Sequence, residues 1–488
     1  MNDALHSIRR IVPTFAAIAL AAALAACATP GDVAPHARPV DIQSVLPRPA
    51  AAVDVGDTWW TNYGDPRLDA LVARGLSDNP SLAVVRVRVE RAAAAVGEAD
   101  AQRKPRIDAD ASATRQRYTG TGLYSPVIAG TTQTSGDVGL RGSWEIDVFG
   151  KNRALLDAAI GSQRAADADF QAARVLLAAN IVREYVQLAR LGDQRDILVR
   201  TLAQRREVLA LIRQRVAAGL DTTVELRQGE GAVPEIAVAL DEVDEQAEIA
   251  RDALAALTGQ GPDALRGLSP RIVDVKVVPL PDDVPADLLG RRADITAARW
   301  RVESATRDLQ ASRAEFYPSV NLLAFAGFTS IGLDNLLHAD SRQIGAGPAL
   351  SLPIFDAGRL RANYKAKATD VDGAVETYNS AVLEALRDVA DALSSVRHVD
   401  VQREEQTHAT DSAEGAYDLA VQRYGNGIGS YLSVLAAETN VLTQRRIDVD
   451  LKAKALASQA QLARALGGGY RQADFPAPTR VAVAHTSN

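Results

Sequence analysis

Two long stretches without proline set the scale of any fold that this chain can adopt. Proline is absent from Val127 to Val233 and again from Ile354 to Phe475, and both stretches are rich in Ala, Leu, Glu, Gln and Arg, which form helices readily. Residues 153–217 alone could form one helix about 97 Å long. Apolar residues recur there every three or four positions, so such a helix must pack along neighbouring helices.

The chain contains two copies of one pattern. Each copy has a helical segment that ends at a proline, a pair of strand-like segments, a long helix and a turn with glycine. The turns are Arg215–Gly219 and Arg423–Gly427, and their final glycines lie 208 residues apart. This period is too long for a solenoid repeat. We therefore predict two equivalent halves, 59–257 and 291–466, with the second long helix at 358–424.

Alternating polar and apolar residues predict strands. From Asp137 to Val148 the odd-numbered residues are polar or glycine and the even-numbered ones apolar or glycine. This alternation is typical of a barrel wall, although a half-buried strand of a soluble sandwich shares it. Four strands are predicted, at 106–118, 134–148, 319–330 and 341–355. Because the smallest transmembrane barrels use about eight strands, a barrel requires several chains.

The N-terminal residues have the features of a lipoprotein export signal. Two arginines precede an apolar run that ends in Leu24-Ala25-Ala26-Cys27 and resembles a lipobox. The run is shorter than the ~20 residues of a membrane-spanning helix, so 1–26 is predicted to be a signal peptide. Cys27 is the only cysteine and cannot form an internal disulfide. We predict that it carries lipid and that 27–58 is a tether; an ordinary signal peptide is the alternative.

Composition and motifs argue against several other functions. The net charge of −7 and the pI near 5.6 disfavour nucleic acid as a partner. The six histidines lack metal-ligand spacing, and the glycines at 425, 427 and 429 lack the strand and lysine of a phosphate loop. We therefore predict no metal, no cofactor and no enzymatic activity.

Several short motifs, in this order, resemble those of a known family. They are Trp59-Trp60, Asp65-Pro66-Arg67-Leu68, Asn79-Pro80, Pro285-Ala286-Asp287-Leu288-Leu289-Gly290-Arg291-Arg292 and Phe316-Tyr317-Pro318-Ser319. Together with the duplication, they resemble the outer-membrane efflux proteins, which are TolC-like tunnels. The lipobox points to the lipid-anchored NodT-type branch, which serves resistance-nodulation-division pumps. The resemblance covers nearly the whole chain after Cys27.

The resemblance implies an α+β membrane protein that forms a homotrimer. Four strands per chain would form a 12-stranded outer-membrane β-barrel, continuous with a 12-helix periplasmic α-barrel. A mixed equatorial domain would include the connector 258–290 and the tail 467–488. The implied partners are outer-membrane lipid, a periplasmic adaptor and an inner-membrane pump of the resistance-nodulation-division class. The implied function is a passive duct for drugs or other small molecules. A duct for type I protein secretion and a structural envelope coiled coil are the alternatives.

The resemblance also implies a gate where the long helices turn back. The candidate gate comprises Asp221, Arg215, Arg423, Tyr424, Gly219 and Gly427. Acidic residues after the turn form rings in many relatives, but here only the first copy has one, because Gly429 occupies the position equivalent to Asp221. One ring of three Asp221 carboxylates would need cations or arginines to offset its repulsion. Alternatively, Asp221 caps the returning helix, which Pro234 is expected to kink or interrupt.

Overall fold

The computed structural model describes residues 33–40, 56–276 and 292–470. Their main elements, in chain order, are α1 (Pro66–Asp78), α2 (Pro80–Ala101), β1 (Arg106–Arg117), β2 (Thr132–Ile146), α3 (Lys151–Ala217), α4 (Thr223–Leu257), α5 (Ala293–Ala314), β3 (Ser319–Ile331), β4 (Arg342–Ser351), α6 (Arg359–Gly425) and α7 (Tyr431–Ala465). Within these ranges no helix combines the length and the apolarity needed to cross a bilayer. The predicted signal peptide, Cys27, most of the tether, part of the connector and most of the tail lie outside the described residues.

The helices of the two halves match in length. The long helices α3 and α6 have 67 residues each, and the returning helices α4 and α7 have 35 each. The long helices are therefore about 100 Å long. Helix α3 begins two residues before the predicted 153 and ends at the predicted Ala217, while α6 is displaced by one residue from 358–424.

Helix α4 continues through Pro234, so of the expected kink or interruption the interruption does not occur. Contacts with α3 hold this part of α4 in place. The Arg205 guanidinium donates to the Ala232 carbonyl at 2.7 Å, and Gly229 lies so close to α3 that an added Cβ would be 2.8 Å from Ile212 Cδ1. The proline removes one helical hydrogen bond, and these tertiary contacts compensate for its loss.

The four strands form one antiparallel sheet in the order β1-β2-β3-β4. Leu140 pairs with Ala109 and with Ala326, so these side chains share a face. Over most of its length that face is apolar and carries Ile107, Ala109, Ala111, Ala113, Val138, Leu140, Trp144, Ile146, Val320, Leu322, Ala324, Ala326, Phe328, Ile344, Ala346, Pro348 and Leu350. Arg115, Arg117 and Arg342 lie on the same face at one end of the sheet. We call it the apolar sheet face.

The strands β2 and β4 end earlier than the predicted 148 and 355, because an aspartate after each strand starts the next helix. Asp147 accepts hydrogen bonds from the backbone N–H groups of Asn152 and Arg153 at 3.1 and 2.8 Å. Asp356 accepts from those of Gly358 and Leu360 at 3.0 and 2.9 Å. These carboxylates satisfy helix N–H groups that otherwise lack partners. The strands therefore end where the caps begin, although the alternation of β2 continues to Val148.

The chain divides into two compact units, and the first contains the sheet. Its described parts are 33–39, Val89–Ala166 and Ala298–Tyr378. Its core is built around Phe316 and Tyr364. Helices α3 and α5 pack closely there, because the Ser304 hydroxyl donates to the Ala158 carbonyl at 2.8 Å.

The second unit has a larger aromatic and aliphatic core. It includes Trp59, Trp60, Tyr63 and Tyr185, all buried. A buried Arg292 connects the beginning of α5 to the end of α7 within this unit, since it pairs with Asp294 at 2.7 Å and donates to the Ala465 carbonyl at 3.2 Å.

Candidate functional site

The turns that follow the long helices have the same backbone structure. Gly219 and Gly427 both have positive φ angles, 73° and 77°, which glycine adopts without steric cost. The next residue in each turn donates its N–H back to the arginine carbonyl, from Leu220 to Arg215 at 2.9 Å and from Ile428 to Arg423 at 3.0 Å. These helix-ending turns satisfy carbonyls that would otherwise be unpaired. We call residues 218–222 and 426–430 the tip turns.

Arg215 connects the first tip turn to the end of α6. Its Nε and Nη2 atoms donate to the Asp221 carboxylate at 2.9 and 3.2 Å, and its Nη1 atom donates to the Tyr424 carbonyl at 3.3 Å. The guanidinium carbon also lies 4.6 Å from the centroid of the Tyr424 ring, within the range of a cation–π contact. One arginine of the first copy thus binds both copies.

Tyr424 completes this cluster from the second copy. The ring is buried, and its hydroxyl donates to Asp221 Oδ2 at 2.5 Å. Burial, and then the hydrogen bond to Asp221, raise the pKa of the Tyr424 hydroxyl, so it keeps its proton. The hydrogen bond from Arg215 holds the pKa of the Asp221 carboxyl below its ordinary value. We call Arg215, Asp221 and Tyr424 the tip lock.

The alternative role of Asp221 as a helix cap is wrong. Thr222 is the N-cap of α4, and its hydroxyl accepts from the Val224 N–H at 3.2 Å. Glu225 accepts from the Thr222 N–H at 3.0 Å and completes a capping box. The Asp221 carboxylate is therefore free to bind Arg215 and Tyr424.

Among the residues that the structure describes, the second copy has no equivalent lock. An added Cβ at Gly429 would lie 3.1 Å from the Tyr424 nitrogen, so a larger side chain there would crowd the turn. Within the described part of the chain, no ion pair involves Arg423. The structure thus joins Arg215, Asp221 and Tyr424 and places Arg423 outside their contacts.

Sequence reasoning missed the apolar residues that support the tip lock. Ile212, Tyr431 and Val434 are buried in one cluster with Tyr424. The Tyr424 and Tyr431 rings are 6.1 Å apart. Tyr431 follows its N-cap Ser430 directly, but its partner Ile212 lies far away in sequence, so only the fold reveals the cluster.

The sheet has a second, polar face opposite the apolar one. Arg141 on β2 pairs with Asp110 on β1 at 2.9 Å and with Asp137 at 3.3 Å. Glu145 pairs with Lys151 at 2.6 Å. The charges of this face lie on β1 and β2, whereas on β3 it includes Leu323 and Phe325. A sheet with one apolar face and one face that bears charges suits a wall between lipid and water. Among the described residues, no group of His, Cys, Asp or Glu is arranged to hold a metal ion.

Comparison with known proteins decides the family. The profile of the outer membrane efflux protein family matches residues 71–260 and 284–468, which together make up more than half of the chain. The chain belongs to this family. The two matched segments fall on the two halves of the chain, and the sequence-based recognition of the family is confirmed.

Similar proteins from other bacteria support this assignment. The chain is 31% identical to a putative multidrug resistance outer membrane protein, MdtQ, of Escherichia coli K12, over 94% of this chain and 98% of the relative. It is 34% identical to the fusaric acid resistance protein FusA of Burkholderia cepacia, over 71% and 67%. The outer membrane protein VceC of Vibrio cholerae has a similar structure, with a TM-score of 0.80 and 32% identity over 87% of this chain and all of VceC.

These findings confirm the predicted architecture and role. The chain is an outer-membrane efflux channel component of a tripartite system, with a periplasmic extension. Channels of this family are homotrimers that work with a periplasmic adaptor and an inner-membrane resistance-nodulation-division pump. The four strands per chain and the long helices agree with a trimeric β-barrel and helical barrel.

Proposed function

We propose that this chain is a passive duct for drug-like small molecules and performs no chemistry on them. The observation that carries this proposal is the two-faced sheet, with an apolar face for lipid and an opposite face, charged on β1 and β2, for a water-filled lumen. The names of MdtQ and FusA concern resistance to multiple drugs and to fusaric acid. By analogy, the transported class is small organic toxins, and selection among them belongs to the pump.

We propose that the tip lock keeps the periplasmic end of the duct closed at rest. Arg215 and Asp221 are both more than four-fifths buried in one chain, so each arginine offsets the charge of its own Asp221. A ring of three Asp221 side chains would then consist of neutralised pairs rather than of bare carboxylates. Opening requires that Arg215 and Asp221 part from Tyr424.

We also propose that Cys27 carries the lipid anchor. The N–H groups of His36 and Ala37 donate to Asp372 Oδ1 on α6 at 2.7 and 2.8 Å, and Val33 packs on the core near the start of that helix. Helix α6 begins soon after β4. Five residues lie between Cys27 and Val33, so the chain between them can span about 20 Å at most. This length supports an anchor in the leaflet beside the sheet.

Loss of the gene tests the proposed function. A deletion strain should become several-fold more sensitive to dyes, detergents and antibiotics, and a plasmid copy should restore resistance. The same strain should secrete its proteins normally. Unchanged drug sensitivity together with lost export of a protein would favour the type I secretion alternative instead.

A further inference from the structure

A buried arginine above the tip lock joins three helices. Arg205 on α3 is 5% exposed and donates to Glu438 on α7 at 3.2 Å. It also donates to Glu235 and to the Ala232 carbonyl on α4, at 2.9 and 2.7 Å. Arg205 precedes Arg215 by ten residues, or about 15 Å along the helix.

Its partner Glu438 is costly to bury. Its side chain is 8% exposed, and its Oε1 atom makes no hydrogen bond to any described residue. Burial raises the pKa of this carboxyl, while Arg205 opposes the increase. Replacing a buried ion pair with apolar residues of similar volume is often neutral or stabilising. A contribution to overall stability therefore does not explain why Arg205 and Glu438 are buried together.

The second copy of the pattern lacks this pair. At the 208-residue offset Arg205 corresponds to Ala413, and Glu438 corresponds to Glu230. Glu230 is about one-third exposed and pairs with Arg213 and Arg227. The buried pair is thus particular to the contact between α3 and α7.

Helices rich in alanine fix their axial register weakly, since small side chains fit in several positions. Around Arg205 the buried residues include Leu209 and Ala232. A single buried polar contact can specify register in packed helices at a cost in stability. The tip lock depends on register, because Arg215 must lie opposite Tyr424.

We propose that the Arg205–Glu438 pair fixes the axial register of α3 against α7 and thereby keeps the tip lock assembled. Arg205 and Glu438 are positioning residues, which act through Arg215 and Tyr424. The proposal deepens the proposed gate and rests on it for its effect on conductance. The register itself can be measured without the gate.

The test replaces the pair with apolar residues, Arg205→Met together with Glu438→Leu. Spin labels at Gln214 on α3 and Leu432 on α7, both exposed, report the register within one chain when labelled protomers are diluted in unlabelled trimers. The Cys27→Ser background, exported through an ordinary signal peptide, leaves only the introduced cysteines. We expect the label distance to broaden or to shift by about one helical turn, 5.4 Å, while the melting temperature stays equal or rises. A distance distribution like that of the parent protein would overturn the proposal.

A second measurement links register to the gate. In planar bilayers, the apolar pair should raise the resting conductance several-fold, and adding Asp221→Asn should raise it little further. Glu230→Gln, the repeat-equivalent control, should leave both distance and conductance unchanged. A shifted distance with normal conductance in both the apolar pair and Asp221→Asn would retain the register proposal and refute the gate. If the apolar pair keeps the parental distance and only Asp221→Asn raises the conductance, the register proposal is refuted and the gate is retained.

Discussion

The tip lock is a set of three residues whose contributions can be separated. Replacement of Asp221 with Asn removes the charge that Arg215 and Tyr424 bind but keeps the size of the side chain. We expect the resting conductance of the purified trimer to increase several-fold, because Arg215 then lacks its counter-ion. Asp241→Asn removes the same charge from an exposed position on α4 and should change nothing. Equal conductance of the two variants would contradict the proposed gate.

The pH dependence of the lock follows from the lowered pKa of Asp221. A carboxyl whose pKa is lowered on folding contributes stability above its ordinary pKa of about 3.9 and loses it as the pH falls through the lower, folded value. The resting conductance should therefore be constant between pH 7.5 and 5 as far as Asp221 is concerned. It should increase only below about pH 4. In Asp221→Asn, this acid-induced increase should be absent.

Cys27 gives a further prediction at the same scale. A Cys27→Ser protein, exported through an ordinary signal peptide, should still form trimers in the outer membrane, at reduced yield, because the sheet provides a second attachment. The measurement is the heat-resistant trimer band in outer-membrane fractions, compared with the parent protein. A protein found wholly soluble in the periplasm would contradict the membrane role of the sheet.

The roles of single residues at the tip turns could be predicted from the sequence only in part. Asp221 and Thr222 are adjacent, and both are good helix caps, so sequence alone cannot assign the cap to Thr222. The Asp221 carboxylate accepts a hydrogen bond from Tyr424, which is 203 residues away in sequence. The 208-residue repeat predicted that the two tip turns are alike, but not that their side chains meet.

At the scale of elements, Gly259 and Gly231 differ in whether their surroundings can accept a larger side chain. Gly259 follows α4 with a φ of 71°, and an added Cβ would lie 2.6 Å from the Asp78 carbonyl oxygen. Gly231 lies inside α4 with open space around it. We expect Gly259→Ala to destabilise the protein by about 1–3 kcal/mol and Gly231→Ala to stabilise it by about 0.5–1 kcal/mol. Thermal unfolding of the two variants side by side measures this, and changes of the same sign would be contrary evidence.

The bounds of the long helices could be predicted from the sequence more accurately than the ends of the strands. The bounds of the long helices were predicted to within two residues of α3 and α6, because strand-like segments precede them and glycine turns follow them. The ends of β2 and β4 were wrong by two and four residues, since an alternating pattern does not reveal that Asp147 and Asp356 already belong to helix starts. Helix α4 is not interrupted at Pro234, and the contacts of Arg205 with α4 cannot be read from the sequence.

At the scale of the whole molecule, we expect assembly in the outer membrane to depend on the two different faces of the sheet. Leu140 lies on the apolar sheet face between Ala109 and Ala326, and Leu140→Arg would place three charges in the bilayer of a trimer. Each costs about 2–4 kcal/mol near the midplane, so we expect few assembled trimers in the outer membrane. Ser143→Arg places the same charge on the polar face and should assemble normally. Equal trimer yields would show that the faces are assigned wrongly.

The matched lengths of the helices restrict how this protein can change size in evolution. Deleting one residue from α3 would rotate everything beyond it by about 100°, and Arg215 would no longer face Tyr424. A viable deletion would remove about seven residues, or two turns, from α3 and α4 and equally from α6 and α7. The tunnel could then shorten only in steps of about 10 Å, with four coordinated deletions each time. Lineages should therefore keep the helix lengths constant and place their insertions in the loops.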